Sequence, residues 1–240
     1  LELVIKPKLL VALFCLFILF TVIGTVSHEC GHYAVMKYYG YGASIHYSYC
    51  SIDSRSPMEE KDFDFFPDSI INKTEFSDFY KYIDWYLYGY ERKLASFHFD
   101  LGGPVLTLGI GTLGLVLLFL FRRRYRSAGR LTYPQWLLLL ASLFWLRPVA
   151  NLASYLIHVI VSGNWLPHGH SDEEKISLFL GLPIMTTGIV TAAIGLVVLI
   201  LAVFYFIPKS ERMTFLVGGL TGGIAGYYLW LIQFGRYIMP

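Results

Sequence analysis

The sequence predicts an all-α, polytopic membrane bundle of about five transmembrane helices, with an aromatic interfacial helix on the outer side. Three observations predict it. Hydrophobic residues make up 55% of the 240 positions and charged residues only 15%, against about 25% charged in an ordinary soluble domain. The mean hydropathy is +0.54. The apolar residues also fall in long blocks rather than at the spacing of a half-buried helix or strand, as spans of a bilayer do. A disordered tail, a fibrous repeat and a water-soluble enzyme of normal make-up are excluded.

Five blocks reach the roughly 20 residues that a bilayer core demands: Leu9 to Met36, Leu101 to Phe121, Trp136 to Val161, Thr187 to Ile207 and Thr214 to Phe234. The first follows Lys6 and Lys8, as a signal peptide would. No small-residue cleavage site ends it and its helical pattern continues, so it reads as a retained span. The last carries Gly218, Gly219, Gly222, Gly223 and Gly226, a small-residue face for close helix packing that also permits self-association. Lys6, Lys8, Arg122, Arg123, Arg124, Arg126, Arg130, Lys209 and Arg212 gather on one side of these spans. The excess of Lys and Arg on cytoplasmic loops then places the N-terminus in the cytoplasm of a multi-pass protein, with the cell membrane as the expected site.

The stretch between the first two spans, about residues 42–98, is acidic and aromatic. Phe76, Phe79, Tyr80, Ile83, Tyr86, Leu87, Tyr90 and Leu94 recur at helical spacing, which predicts an amphipathic helix at headgroup level. Asn72 and Glu75 are placed to cap its start. A net charge of +2, without a basic soluble face, makes no case for nucleic acid. Cys15, Cys30 and Cys50 make no disulfide framework.

The chemistry concentrates in His28-Glu29-Cys30-Gly31-His32, at the outer end of the first span. Helix positions four apart share a face, so both imidazoles can bind one cation, most commonly Zn²⁺. Glu29 beside them can take a proton from an activated water and return it to a leaving amine. Ionisable groups inside an apolar span are costly and therefore functional by default. Two histidines leave a catalytic zinc site one protein ligand short. The loop after the third span lies on the same side by charge, and it offers His168, His170 and Asp172.

With these residues the sequence resembles the site-2 protease family of intramembrane zinc metallopeptidases, in its small bacterial form. His28 and His32 match the family's zinc histidines, Glu29 its catalytic glutamate, and Asn164-x-x-Pro167-x4-Asp172 its downstream motif with the zinc-binding aspartate. Gly103-Pro104 is similar to a Gly-Pro that often opens a core helix. The resemblance spans about residues 9–185 of a single domain, with 187–238 as a C-terminal helical pair. It implies Zn²⁺ on His28, His32 and Asp172, and a membrane-embedded or membrane-proximal protein substrate within the lipid bilayer. The usual Gly after the aspartate is Glu173 here, and the aromatic insertion is extra to the family's minimal core.

Asp172 has a second reading. Ser171 and Glu174 form a capping box around it, and both roles can hold together. Asn164 or Asn151 is a candidate oxyanion donor. Arg147, four residues before Asn151, reads as part of a polar network between spans, and His158 as packing. His46 and His98 receive no role. Two rival functions accompany the peptidase: a non-catalytic membrane relative that binds or scaffolds, and a metal transporter. The absence of Asp, Glu and His from the last two apolar runs disfavours the transporter.

Overall fold

The computed structural model describes residues 5–52, 90–121, 131–163 and 171–240, with side chains in the second span from Leu94 onward. Its elements in chain order are helix α1 (Pro7–Tyr38), strands β1 (Ala43–Ile45) and β2 (Cys50–Ile52), helices α2 (Tyr90–Leu120), α3 (Tyr133–Ser142), α4 (Leu146–Ser162), α5 (Asp172–Phe179), α6 (Thr186–Leu201), α7 (Arg212–Tyr227) and α8 (Gly235–Ile238). Five helical segments are long and apolar enough to cross a membrane: Pro7–Tyr38, Leu94–Leu120, Tyr133–Ser162, Thr186–Phe206 and Lys209–Ile238. These coincide with the five expected spans, the first, third and fifth extended at both ends, the second extended at its start and the fourth shifted by one residue.

Local chemistry sets the boundaries. Pro7 occupies the first turn of α1, where a missing N–H costs nothing. The helix ends before Gly40, whose φ of +79° suits a residue without Cβ. The third span is not one continuous α-helix. A 3₁₀ turn at Leu143–Trp145 joins α3 to α4, and Pro148 follows within the first turn of α4, so the break has a local cause. Ser171 caps α5 by accepting the Glu174 N–H at 3.2 Å, so the capping reading holds. Glu174 Oε2 is buried and has no partner among the described residues.

α1 is the central post, packed against α2 and α7. On the α7 side the glycine face is used within the chain. A Cβ at Gly222 would lie 2.6 Å from the Phe14 carbonyl oxygen, and one at Gly226 would lie 2.8 Å from Thr21 Oγ1. On the α2 side a Cβ at Gly31 would lie 2.1 Å from the Gly102 carbonyl oxygen, so the two backbones touch. Leu13, Leu118, Leu139, Leu140, Phe206 and Phe215 belong to an apolar core. Leu13 and His28 on α1 are separated by about 22 Å of helix at 1.5 Å per residue. The bundle is therefore apolar at one end and polar at the other.

Two features depart from the expected plan. A short antiparallel hairpin, Ala43 opposite Ile52 and Ile45 opposite Cys50, follows α1 and is the only strand pair among the described residues. It is tied to the C-terminal segment, since the Tyr47 N–H donates to the Met239 carbonyl at 3.0 Å and Trp230 Nε1 donates to the Tyr47 carbonyl at 2.9 Å. The second span begins at Tyr90, so the last residues of the expected interfacial helix continue straight into it. The rest of that helix, from Phe76 on, and its Asn72 cap lie outside the described residues.

Candidate metal centre

Helical spacing brings His28 and His32 to one face of α1, and the ring centroids stand 4.7 Å apart. Asp172, at the start of α5, reaches them from 140 residues downstream by the difference between 172 and 32. Its Oδ2 lies 2.8 Å from His28 Nε2 and 3.3 Å from His32 Nε2. The three ligand atoms all fall within 4.8 Å of one another. Both imidazoles are buried, at 3% and 4% exposure.

The outer atoms of both rings are fixed. His32 Nδ1 lies 2.6 Å from the Phe99 carbonyl, which can only accept, so Nδ1 carries a proton. His28 Nδ1 lies 3.1 Å from Thr107 Oγ1. That hydroxyl spends its own proton on the Gly103 carbonyl at 2.6 Å, so it accepts from the ring. Each Nε2 then turns a lone pair toward Asp172 unless it carries a second proton. Such outer hydrogen bonds orient imidazole ligands in metal sites. Two lone pairs and a carboxylate oxygen, converging in a buried space, are a donor set suited to a divalent cation.

α2 shapes this space. A Cβ on Gly103 would sit 2.4 Å from His32 Nε2 and 2.5 Å from His28 Nε2, so only glycine leaves room between the rings. α2 also steadies the helix that carries Asp172. Lys175 Nζ donates to Asp100 Oδ1 at 3.2 Å, and Phe97 stacks on Phe179 at 4.0 Å between centroids. Ser177 Oγ donates to Thr187 Oγ1 at 2.8 Å and joins α5 to α6.

Glu29, 3% exposed, lines the same cavity of about 610 Å³ as the three candidate ligands. Glu173 lines the same cavity. Both its carboxylate oxygens accept from Asn151 Nδ2 at 3.3 Å, and burial raises its carboxyl above the ordinary value. Asn151 donates to Glu173 and also lines the cavity. Arg147 is placed among charged groups rather than in a network of hydrogen bonds between spans. Its guanidinium approaches Glu29 Oε1 at 3.9 Å, and its buried Nε has no partner among the described residues. His158, expected as packing, also lines the cavity.

Sequence reasoning did not find Thr107, Phe99 or the hairpin wall formed by Ser48, Tyr49 and Cys50. Thr107 has one available signal, a hydroxyl one helical turn after Gly103. The Phe99 contribution is a backbone carbonyl and has none. His46 and His98 have structural partners, His46 Nε2 with Ser51 Oγ at 2.7 Å and His98 with the Tyr39 hydroxyl. Asn164, and His168 and His170 as alternative ligands, lie outside the described residues. No family model matches the chain, and no curated protein or solved structure matches it either, so what the site does must rest on its own chemistry.

Proposed function

We propose that this chain is a zinc-dependent peptidase that hydrolyses peptide bonds of membrane-embedded or membrane-proximal polypeptides. The observation that carries the reading is the convergence of His28 Nε2, His32 Nε2 and Asp172 Oδ2 beside Glu29 in one cavity. Three protein ligands with one position left open are the usual make-up of a catalytic zinc site. Leaving the three groups to themselves would require buried lone pairs facing a carboxylate, or two neighbouring imidazolium ions; both are costly.

Zinc, when bound, supplies a Lewis acid that polarises a carbonyl and acidifies water. The protein's own groups do the rest. Phe99 and Thr107 hold the imidazoles in the tautomer that frees Nε2. Gly103 keeps the space between them open. Glu29, within the apolar span yet facing the cavity, takes a proton from water and passes it to the departing amine. The basic flanks favour a cytoplasmic N-terminus in a cell membrane, with the site toward the outer face. The non-catalytic alternative rests on Glu173 standing where the resemblance expects Gly, and here that carboxylate accepts from Asn151.

The test is metal analysis of the purified protein combined with hydrolysis of a reconstituted transmembrane substrate. Wild type is expected to carry about one zinc per chain and to cleave. His28→Ala and Asp172→Asn should lose both properties, whereas Glu29→Gln should keep the metal and lose cleavage. Cleavage by Glu29→Gln at the wild-type rate would refute the peptidase reading.

A further inference from the structure

We propose that Arg147 is a catalytic residue whose guanidinium receives the carbonyl oxygen of the scissile peptide as negative charge builds on it. The proposal rests on the peptidase reading and adds a residue to it. Arg147 stands in the first turn of α4, just after the 3₁₀ turn and beside Pro148, so the break in the third span sets where its side chain enters the cavity.

A guanidinium carries five N–H donors and stays charged. The Arg147 side chain is 29% exposed and lines the cavity. Its Nε is buried and has no partner among the described residues. Its nearest carboxylate, Glu29 Oε1, is 3.9 Å from Nη2, beyond hydrogen-bond reach. Asn151, one turn along α4, takes up Glu173, so the neighbouring acid is satisfied from elsewhere. What remains is a preorganised cationic donor facing the space in which Glu29 and the three candidate ligands meet.

The surroundings select the acceptor. Glu29, Asp172 and Glu173 all bear on the guanidinium electrostatically, so a substrate side chain with a permanent negative charge would meet repulsion. A peptide carbonyl is neutral on arrival and becomes anionic only as it reacts, which is where fixed donors contribute most. In the reaction, the water oxygen bonds to the carbonyl carbon, a water proton moves to Glu29, and the C=O π pair moves onto oxygen facing Arg147. Collapse restores the C=O bond and breaks the C–N bond, and Glu29 delivers its proton to the leaving nitrogen.

The experiment compares full-length wild type with Arg147→Met and Arg147→Lys, using a detergent-solubilised transmembrane peptide substrate, a phosphinic analogue of the cleaved bond, and zinc content. Arg147→Met is expected to lower kcat by about 10²–10³-fold, the usual loss for one oxyanion donor, with KM and zinc content unchanged. Affinity for the analogue should fall in parallel with kcat/KM, Arg147→Lys should recover part of the loss, and added guanidinium should partly rescue Arg147→Ala. Wild-type kcat in Arg147→Met, or a loss that tracks lost zinc or a lowered melting temperature, overturns the proposal and leaves the peptidase reading standing. Wild type that binds zinc and cleaves nothing removes both.

Discussion

The side chains at the site are set by neighbours that do no chemistry themselves. Thr107 illustrates this: with its proton given to the Gly103 carbonyl, it can only accept from His28 Nδ1, and that choice points the Nε2 lone pair inward. Thr107→Val keeps the shape and removes the acceptor. Zinc affinity is expected to fall about 10–100-fold, the usual effect of losing an outer hydrogen bond, as measured by competition with a chromophoric chelator. Cys50 offers a check on the cavity wall. Burial pushes its thiol up to about 11, and the thiolate is the reactive form. At pH 8 about one thiol in a thousand would be ionised, so alkylation of Cys50 should lag behind a free peptide thiol and rise tenfold per pH unit until near pH 11. Mass spectrometry of pH-jump samples would show it, and rapid labelling at pH 7 would contradict the buried setting.

At the scale of elements, α1 and α2 form a unit whose close approach at Gly31, Gly102 and Gly103 bounds the space between the two imidazoles. Gly103→Ala would place a methyl between the two Nε2 atoms and should abolish zinc binding while the helices persist by circular dichroism. Gly109→Ala, on the same helix with nothing within 4 Å of the added carbon, should leave binding and melting temperature unchanged. How much of this is legible in the sequence depends on whether the signal is local. The i, i+4 histidines and Glu29 are, because helical periodicity alone puts the imidazoles on one face. Asp172 is visible only through its motif and topological side. The Phe99 carbonyl is invisible, since any residue there carries the same oxygen. The hairpin is masked by its brevity and by contacts with Trp230 and Met239 that no local pattern announces.

For the whole molecule, hydrophobic length sets five spans, and their boundaries follow from Pro, Gly and polar flanks. The separation into an apolar end around Leu13 and Leu118 and a polar end around His28 and Asp172 comes from which helix faces meet, a tertiary choice. A cation that bridges α1 to α5 would add to global stability as RT ln(1 + [L]/Kd), about 2.7 kcal/mol at a hundredfold excess over Kd. Chelation should therefore lower the melting temperature of wild type and leave His28→Ala unmoved, as read by differential scanning fluorimetry in detergent. Equal curves with and without chelator would argue against a bridging ion.

The glycines of α7 have a consequence for how the protein would respond to genetic dissection. Gly218, Gly222 and Gly226 are taken up by α1 in the intact chain. A reporter fusion that carries the final span alone would display that strip naked to lipid and score as a strong homodimer. Adding the first span in trans should quench the signal by capturing the strip as a heteropair, and replacement of Gly222 by Ile in the isolated span should abolish both outcomes.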